Sequence, residues 1–446
     1  MSVTSMYARK LRTPEEAVRI IKSGDWVDYT TSICFPALLD KALAERKEEL
    51  TDVKLRGNLI FGPILTAESD PTREHFCYNS WHVSAYERKL SDRGLCSYIP
   101  MVFRDCTEYY RHFLKVNVAM MAVPPMDNHG YFNLSCGTGV ARGILEKADA
   151  VILEINENLP HVYGAFDESI HISEVTYVVE GEHGPLPEFP IEEATPEDIR
   201  IADSILPYIK DGSALQIGIG GMPSVIGRRI CESDIKDLSM HTELCTDAYY
   251  ELYEAGKITN RQKRLFPGKG LMGIAFGTKR LYDWVDRNPA ILIAPLSYVN
   301  APEHIAQLDN MVSINNCISV DLYGQINAES AGLRQISGTG GQLDYLTGAA
   351  MARGGKAFIC MHSTYTDKKG EVHSCIKPHF NGDIITDPRS QSYFVATEYG
   401  VVNLCGRSTW ERAEMLISIA HPHFREGLIR DAEKQGIWRY TNKSEV

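Results

Sequence analysis

Residues 214–245 bring a glycine-rich turn and a carboxylate into one short stretch of chain. The turn is Gly218-Ile219-Gly220-Gly221-Met222-Pro223; it follows the apolar run ALQI and precedes a helical segment. Glycines at such a turn let backbone N–H groups approach a ligand closely, and the helix N-terminus beyond them favours negative charge. A tight strand–helix turn with no ligand is the plain alternative. Glu243, in SMHTELCTDA, stands at the end of the next predicted strand, and parallel sheets collect ligands at the carboxyl ends of their strands. A strand-end glutamate is commonly a solvated cap or an ion-pair partner. Placed after a glycine loop, it reads as a catalytic carboxylate.

Other segments compete for a role. Ser337-Gly338-Thr339-Gly340-Gly341-Gln342 is a second glycine cluster, an anion or amide cradle or else a flexible loop. Glu329, in NAES, is the rival carboxylate, but its glycine loop follows rather than precedes it. A GxGxxG spacing occurs at Gly268–Gly273. It follows the basic segment RQKRLFP instead of an apolar strand, so it is taken as a decoy. A dinucleotide site at Gly218–Pro223 is disfavoured because Pro223 occupies the place of the third glycine. His241 and Thr242 receive no role from strand alternation. His129 and the segment 79–82 either shape a pocket or simply pack.

The elements that position these residues repeat. Residues 20–58 and 208–243 share a helix end, a turn at Gly24 or Gly212, an apolar strand, a loop closed by Pro36 or Pro223, a helix and another strand start. In this frame Asn58 stands where Glu243 stands. Further on, Asp127-x-x-Gly130-x-x-Asn133 matches Asp321-x-x-Gly324-x-x-Asn327. Continuous β-branched runs such as AVILEI and KAFICM predict strands buried on both faces, with helices between them. The expectation is a duplicated α/β protein: two similar open, mostly parallel domains, residues 1–190 and 191–446, with a site between them. The Pro- and acid-rich stretch GEHGPLPEFPIEEATPEDIR reads as the linker.

Composition narrows the class. The chain has 446 residues, 44% apolar and 23% charged, enough for two self-sufficient cores. Its net charge of −12 argues against nucleic-acid partners, which need a positive field. No run approaches the roughly 20 apolar residues of a membrane span. The N-terminal 22 residues read as an amphipathic helix and not as a signal peptide. Eleven scattered cysteines with no CxxC pair suggest neither a metal site nor a redox couple. A cytoplasmic protein is expected.

The segments QIGIGGMP, MHTELCTDA, DLYGQINAES, ISGTGGQLDY and WERAEMLISIAHP, with EELTDVKLRG and HFCYNSWHVSAYERK in the first half, resemble the acetyl-CoA hydrolase/transferase family along nearly the whole chain. The resemblance implies two similar open α/β domains with the active site between them. It implies CoA transfer between short-chain acids, butyrate with acetate first and 4-hydroxybutyrate next. It places the catalytic glutamate on Glu243 and the CoA loop on Gly218, Ile219, Gly220, Gly221 and Met222. Further CoA contacts are implied at Ile318, Gly341 and Lys368, and Lys368 could equally be a solvated loop lysine. Coenzyme A would be a substrate, with no tightly bound cofactor and no metal; acyl-CoA and short carboxylic acids would be the partners, and a homo-oligomer stays open. The alternatives from other classes are an acyl-CoA hydrolase, a phosphosugar isomerase-like or sugar-sensing module, and a dinucleotide-dependent oxidoreductase.

Overall fold

Apolar runs of the kind read from the sequence form the sheet interiors. Residues 118–123, 150–155 and 270–275 are buried at every position, as strands covered on both faces must be. The computed structural model describes residues 2–189 and 193–437, so the boundary expected near residue 190 lies outside the described residues. The first sheet contains β1 (Trp26–Thr31), β2 (Val53–Asn58), β3 (Phe76–Ser80), β4 (Cys96–Tyr98), β5 (Val118–Val123), β6 (Ala150–Ile155) and β7 (Tyr177–Glu180). The second contains β8 (Ala214–Ile217), β9 (Ser239–Cys245), β10 (Gly270–Ala275), β11 (Ile291–Ile293), β12 (Val312–Asn316), β13 (Lys356–Cys360), β14 (Phe394–Thr397) and β15 (Gly400–Asn403).

The first sheet runs β4-β3-β2-β1-β5-β6-β7, with every pairing parallel. The second runs β11-β10-β9-β8-β12-β13-β14-β15, parallel except for the last pair. The two orders are the same, with β15 added at one edge. The repeated Asp-x-x-Gly-x-x-Asn frame also folds twice in one way. Asp127 Oδ1 accepts from the His129 and Tyr131 N–H groups, and Asp321 Oδ1 from those of Tyr323 and Gln325. Gly130 and Gly324 take φ of 90° and 86°, a region that glycine enters without the Cβ penalty.

Helices start where the sequence supplies caps. Thr13, Ser84, Thr195 and Ser408 each close a capping box, two of them just before a proline at the first helical turn. The N-terminal stretch expected as one helix is two, Val3–Lys10 and Pro14–Val18, because Leu11 leaves the helix to bridge Val178 of β7. Apolar packing is continuous between the halves: Leu59, Cys136, Leu159 and Val162 of the first half join the core beneath β8–β10. All eleven cysteines are free. Among the described residues no helix is long and apolar enough to cross a membrane.

Candidate active site

Glu243 lies near the carboxyl end of β9 and is partly buried. It lines a cleft of about 200 Å³ whose walls come from both halves: Leu59, His82 and Phe103 from the first, Gly218, Ile219 and Phe276 from the second. Asn300, fully buried, donates from Nδ2 to Glu243 Oε2 at 2.7 Å and to Asp344 Oδ2 at 3.2 Å. The Gly341 N–H also donates to the Glu243 carboxyl. Burial pushes the Glu243 carboxyl up to about 7, against the pull of these two donors. The result is a carboxyl that is weakly solvated, held by two donors, and poised to gain or lose its proton around neutral pH.

The need for glycine at 341 is steric. A Cβ there would lie 1.8 Å from Glu243 Oε2 and 1.9 Å from Asn300 Nδ2. The first glycine loop is held at its base, where the Gly218 N–H donates to Ile314 O at 2.9 Å and Asn316 Nδ2 to Ile219 O at 3.2 Å. Gly220 turns the chain at φ 111° into the helix Gly221–Glu232, whose first N–H groups lack intrahelical acceptors. Gly220, Gly221 and Met222 face a larger cavity of about 720 Å³, which Ile318 also lines. Asn316 borders both spaces. The glycine loop thus stands between the two spaces, with Gly218 and Ile219 on the cleft and Gly220, Gly221 and Met222 on the larger cavity.

Two family models match the chain: the acetyl-CoA hydrolase/transferase N-terminal domain over residues 1–190 and the acetyl-CoA hydrolase/transferase C-terminal domain over residues 277–432. A butyryl-CoA:acetate CoA-transferase of Anaerostipes caccae is 47% identical over 99% of this chain and 100% of its own length. The chain belongs to the acetyl-CoA hydrolase/transferase family. A probable butyrate:acetyl-CoA coenzyme A-transferase of Syntrophomonas wolfei is 44% identical over 98% of both chains. Among solved structures, RipA from Yersinia pestis superposes with a TM-score of 0.89 at 34% identity, covering 98% of this chain and 100% of that one.

Within this acetyl-CoA hydrolase/transferase fold the remaining residues singled out from the sequence separate clearly. Gly218, Ile219 and Gly341 stand in the cleft with Glu243, while Gly220, Gly221, Met222 and Ile318 line the larger cavity. Lys368 is exposed, between the strands Thr364–Thr366 and Val372–Ser374, and does not line that cavity, although Thr364 and Tyr365 of the same hairpin do. Asp367, Glu371 and His373 there are close enough to share an ion, but Asp367 Oδ1 already accepts the N–H groups of Lys369 and Glu371. Glu329 is buried and used up as a clamp: Tyr98 Oη, Gln335 Nε2 and Thr386 Oγ1 all donate to its carboxylate. The GxGxxG decoy runs into β10, where Gly273 makes room for packing; a Cβ there would lie 2.4 Å from Leu296 Cδ2.

No spacing in the sequence marks Asn300, Asp344 or Arg104, and strand alternation alone gives His241 no role. His241 is two residues from Glu243 and thus on the same side of β9. Its Nε2 meets Val299 O at 2.8 Å, bracing the residue before Asn300. Burial lowers this imidazole to about 3, so it is neutral, with Nε2 carrying the proton given to the carbonyl. His82, likewise lowered by burial to about 4, meets Ser337 Oγ at 3.2 Å and packs over the second glycine cluster. His129 donates its backbone N–H to the Asp127 turn and lines neither space.

Proposed function

We propose that this chain is a CoA-transferase that moves coenzyme A between butyryl-CoA and acetate through a covalent thioester on Glu243. The observation that carries the reading is the Glu243 carboxyl itself: tethered by Asn300 and Gly341, desolvated, and set in a small two-sided cleft beside the glycine loop. The pair of acids is taken from the full-length relatives named above, and the largely apolar walls supplied by Leu59, Phe103 and Phe276 suit an unsubstituted chain. The body of coenzyme A is assigned to the larger cavity, against Gly220, Gly221, Met222 and Ile318, its thiol end to the cleft at Gly218, Ile219 and Gly341, and its outer end to exposed Lys368 on the adjoining hairpin.

The chemistry follows from where the donors sit. Ionised Glu243 attacks the thioester carbonyl; the C–S bond breaks, leaving a glutamyl–butyryl anhydride and CoA thiolate. The thiolate then attacks the glutamyl carbonyl, the C–O bond breaks, and butyrate leaves a glutamyl-CoA thioester. Acetate attacks that thioester, and the same steps run in reverse to give acetyl-CoA and free Glu243. Asn300 Nδ2 donates to Glu243 Oε2 and the Gly341 N–H to the same carboxyl, where charge gathers whenever the glutamyl carbon is attacked. One such preorganised donor is worth about 3–4 kcal/mol. Thioester energy is conserved only if water is kept out, which the walls from both halves serve. Ping-pong kinetics follow.

The test is to incubate the protein with butyryl-CoA, treat it with borohydride or hydroxylamine, and map the modified peptide. Modification at Glu243 alone, with acetyl-CoA formed only when acetate is added, is expected. Modification at Glu329, or none, would overturn the reading. Release of free CoA at the same rate with and without acetate would make the chain a hydrolase.

A further inference from the structure

We propose that Arg104 of the first half is a positioning residue for Glu243, acting through Asp344 and Asn300. The inference rests on Glu243 being the nucleophile. The two hydrogens on Asn300 Nδ2 are shared between two carboxylates, Glu243 at 2.7 Å and Asp344 at 3.2 Å. Asn300 Oδ1 is buried and meets no donor, so nothing on the carbonyl side fixes the plane of the amide. Its two acceptors do. During the reaction Glu243 becomes an anhydride and then a thioester, losing its charge at both stages. Asp344 is the acceptor that persists.

For that, Asp344 must stay ionised in a fully buried place next to another carboxylate. Two such acids tend to keep one proton between them. A proton on Asp344 would turn one of its oxygens into a donor and free the amide to rotate; a proton on Glu243 would remove the nucleophile. Burial holds the Asp344 carboxyl well above its ordinary range, the Glu243 charge adds to this, and Arg104 supplies the charge that opposes both. Its Nη1 lies 2.7 Å from Asp344 Oδ1, and its backbone N–H donates to Asp344 Oδ2 at 3.1 Å. The other acid beside Arg104, Asp105 at 3.6 Å, is 39% exposed and so competes weakly for the guanidinium. The adjacent Phe103 N–H donates to Gly340 O at 3.0 Å, holding the residue before Gly341. One short segment of the first half thus seats both donors of Glu243, and the carboxylate is primed only when the halves are docked.

Arg104 is 31% exposed and opens onto a surface cleft of about 430 Å³, so a small cation in solution can reach its place. The experiment measures kcat, KM for butyryl-CoA and the rate of Glu243 adduct formation in Arg104→Ala, with and without added guanidinium, and with methylammonium as the salt control. The expected result is a kcat and an adduct rate lowered by about tenfold or more, the loss that one pKa unit makes in an ionised fraction. KM is expected to change little. Guanidinium should restore part of the rate, and methylammonium should not. Asp344→Asn should lose rate and gain nothing from guanidinium. Should Arg104→Ala not fold, Arg104→Gln, which keeps bulk and a donor without charge, is expected to lose rate likewise. A folded Arg104 variant with full kcat, a loss confined to KM, or a loss that guanidinium cannot touch overturns the inference while wild type still forms its adduct. Absence of any Glu243 adduct in wild type removes the underlying reading and this inference together.

Discussion

Asn58 and Glu243 occupy the same register position on equivalent strands. Trp26 of β1 pairs with Lys54 of β2, and Ala214 of β8 with Ser239 of β9; each residue lies four positions beyond its strand's paired residue. The duplication therefore kept the strand and changed the group, an amide in one half and a carboxylate in the other. Asn58 is wholly buried, with neither amide atom paired, whereas Glu243 faces the cleft.

Giving Glu243 its counterpart's identity should remove the nucleophile while keeping the strand. Glu243→Asn and Glu243→Ala are expected to lose turnover by at least about 10³-fold, with circular dichroism and cooperative unfolding unchanged. Butyryl-CoA-dependent labelling should vanish in both.

Asn300→Ala should lower kcat by about 10²–10³-fold, the usual cost of one oxyanion donor. KM for butyryl-CoA is expected to stay near wild type, because Asn300 touches the reacting carboxyl and lies outside the cavity assigned to coenzyme A. Steady-state kinetics separate the two terms.

Gly341→Ala places a methyl group where Glu243 and Asn300 now meet. Something must move, and the mobile partners are those two side chains. Loss of at least about 10²-fold in adduct formation is expected, with a much smaller change in thermal midpoint than an activity loss of that size would suggest.

The raised carboxyl of Glu243 has consequences of opposite sign for rate and stability. The nucleophile must be ionised, so kcat/KM for butyryl-CoA should fall as pH drops below about 7. The folded state binds the proton more tightly than the unfolded chain, whose carboxyl has the ordinary value of 4.5. The stabilising contribution is present below 4.5 and is lost as pH rises through about 7. Glu243→Gln should therefore be more stable than wild type at pH 8, on the order of 1–3 kcal/mol, with the gap closing toward pH 4.5. Denaturant titrations across that range measure it.

Tyr98→Phe tests the clamp assigned to Glu329. The phenol donates to Glu329 Oε2 at 2.9 Å and accepts from the Thr339 N–H at 3.0 Å. Its loss leaves both short of a partner and should cost about 1–3 kcal/mol of stability. Labelling should remain on Glu243, which distinguishes a scaffold carboxylate from a second nucleophile.

The duplication and the sheet class were legible because each is written locally, in strand runs, turn residues and an internal repeat; the donors to Glu243 come instead from Asn300 and the second glycine cluster. Asn300 was not legible, since it lies 57 residues from Glu243 and sits in SYVNAPE with no spacing that marks it. Arg104 meets Asp344 across 240 residues, a contact made only by docking one half on the other. Strand alternation turns Thr242 away from Glu243 but not His241, since a separation of two restores the same face. Gly341 belongs to a glycine cluster visible in the sequence, yet the reason for glycine there is a close approach that only the folded chain contains.

Leu59, His82 and Phe103 roof a cleft whose reactive carboxylate comes from the far side. The two faces of the cleft are thus encoded in separate stretches of the coding sequence, the first supplying Leu59, His82 and Phe103 and the second Glu243, Ile219 and Phe276. A substitution in either stretch can therefore reshape the space around Glu243 while the strand that carries it is left intact.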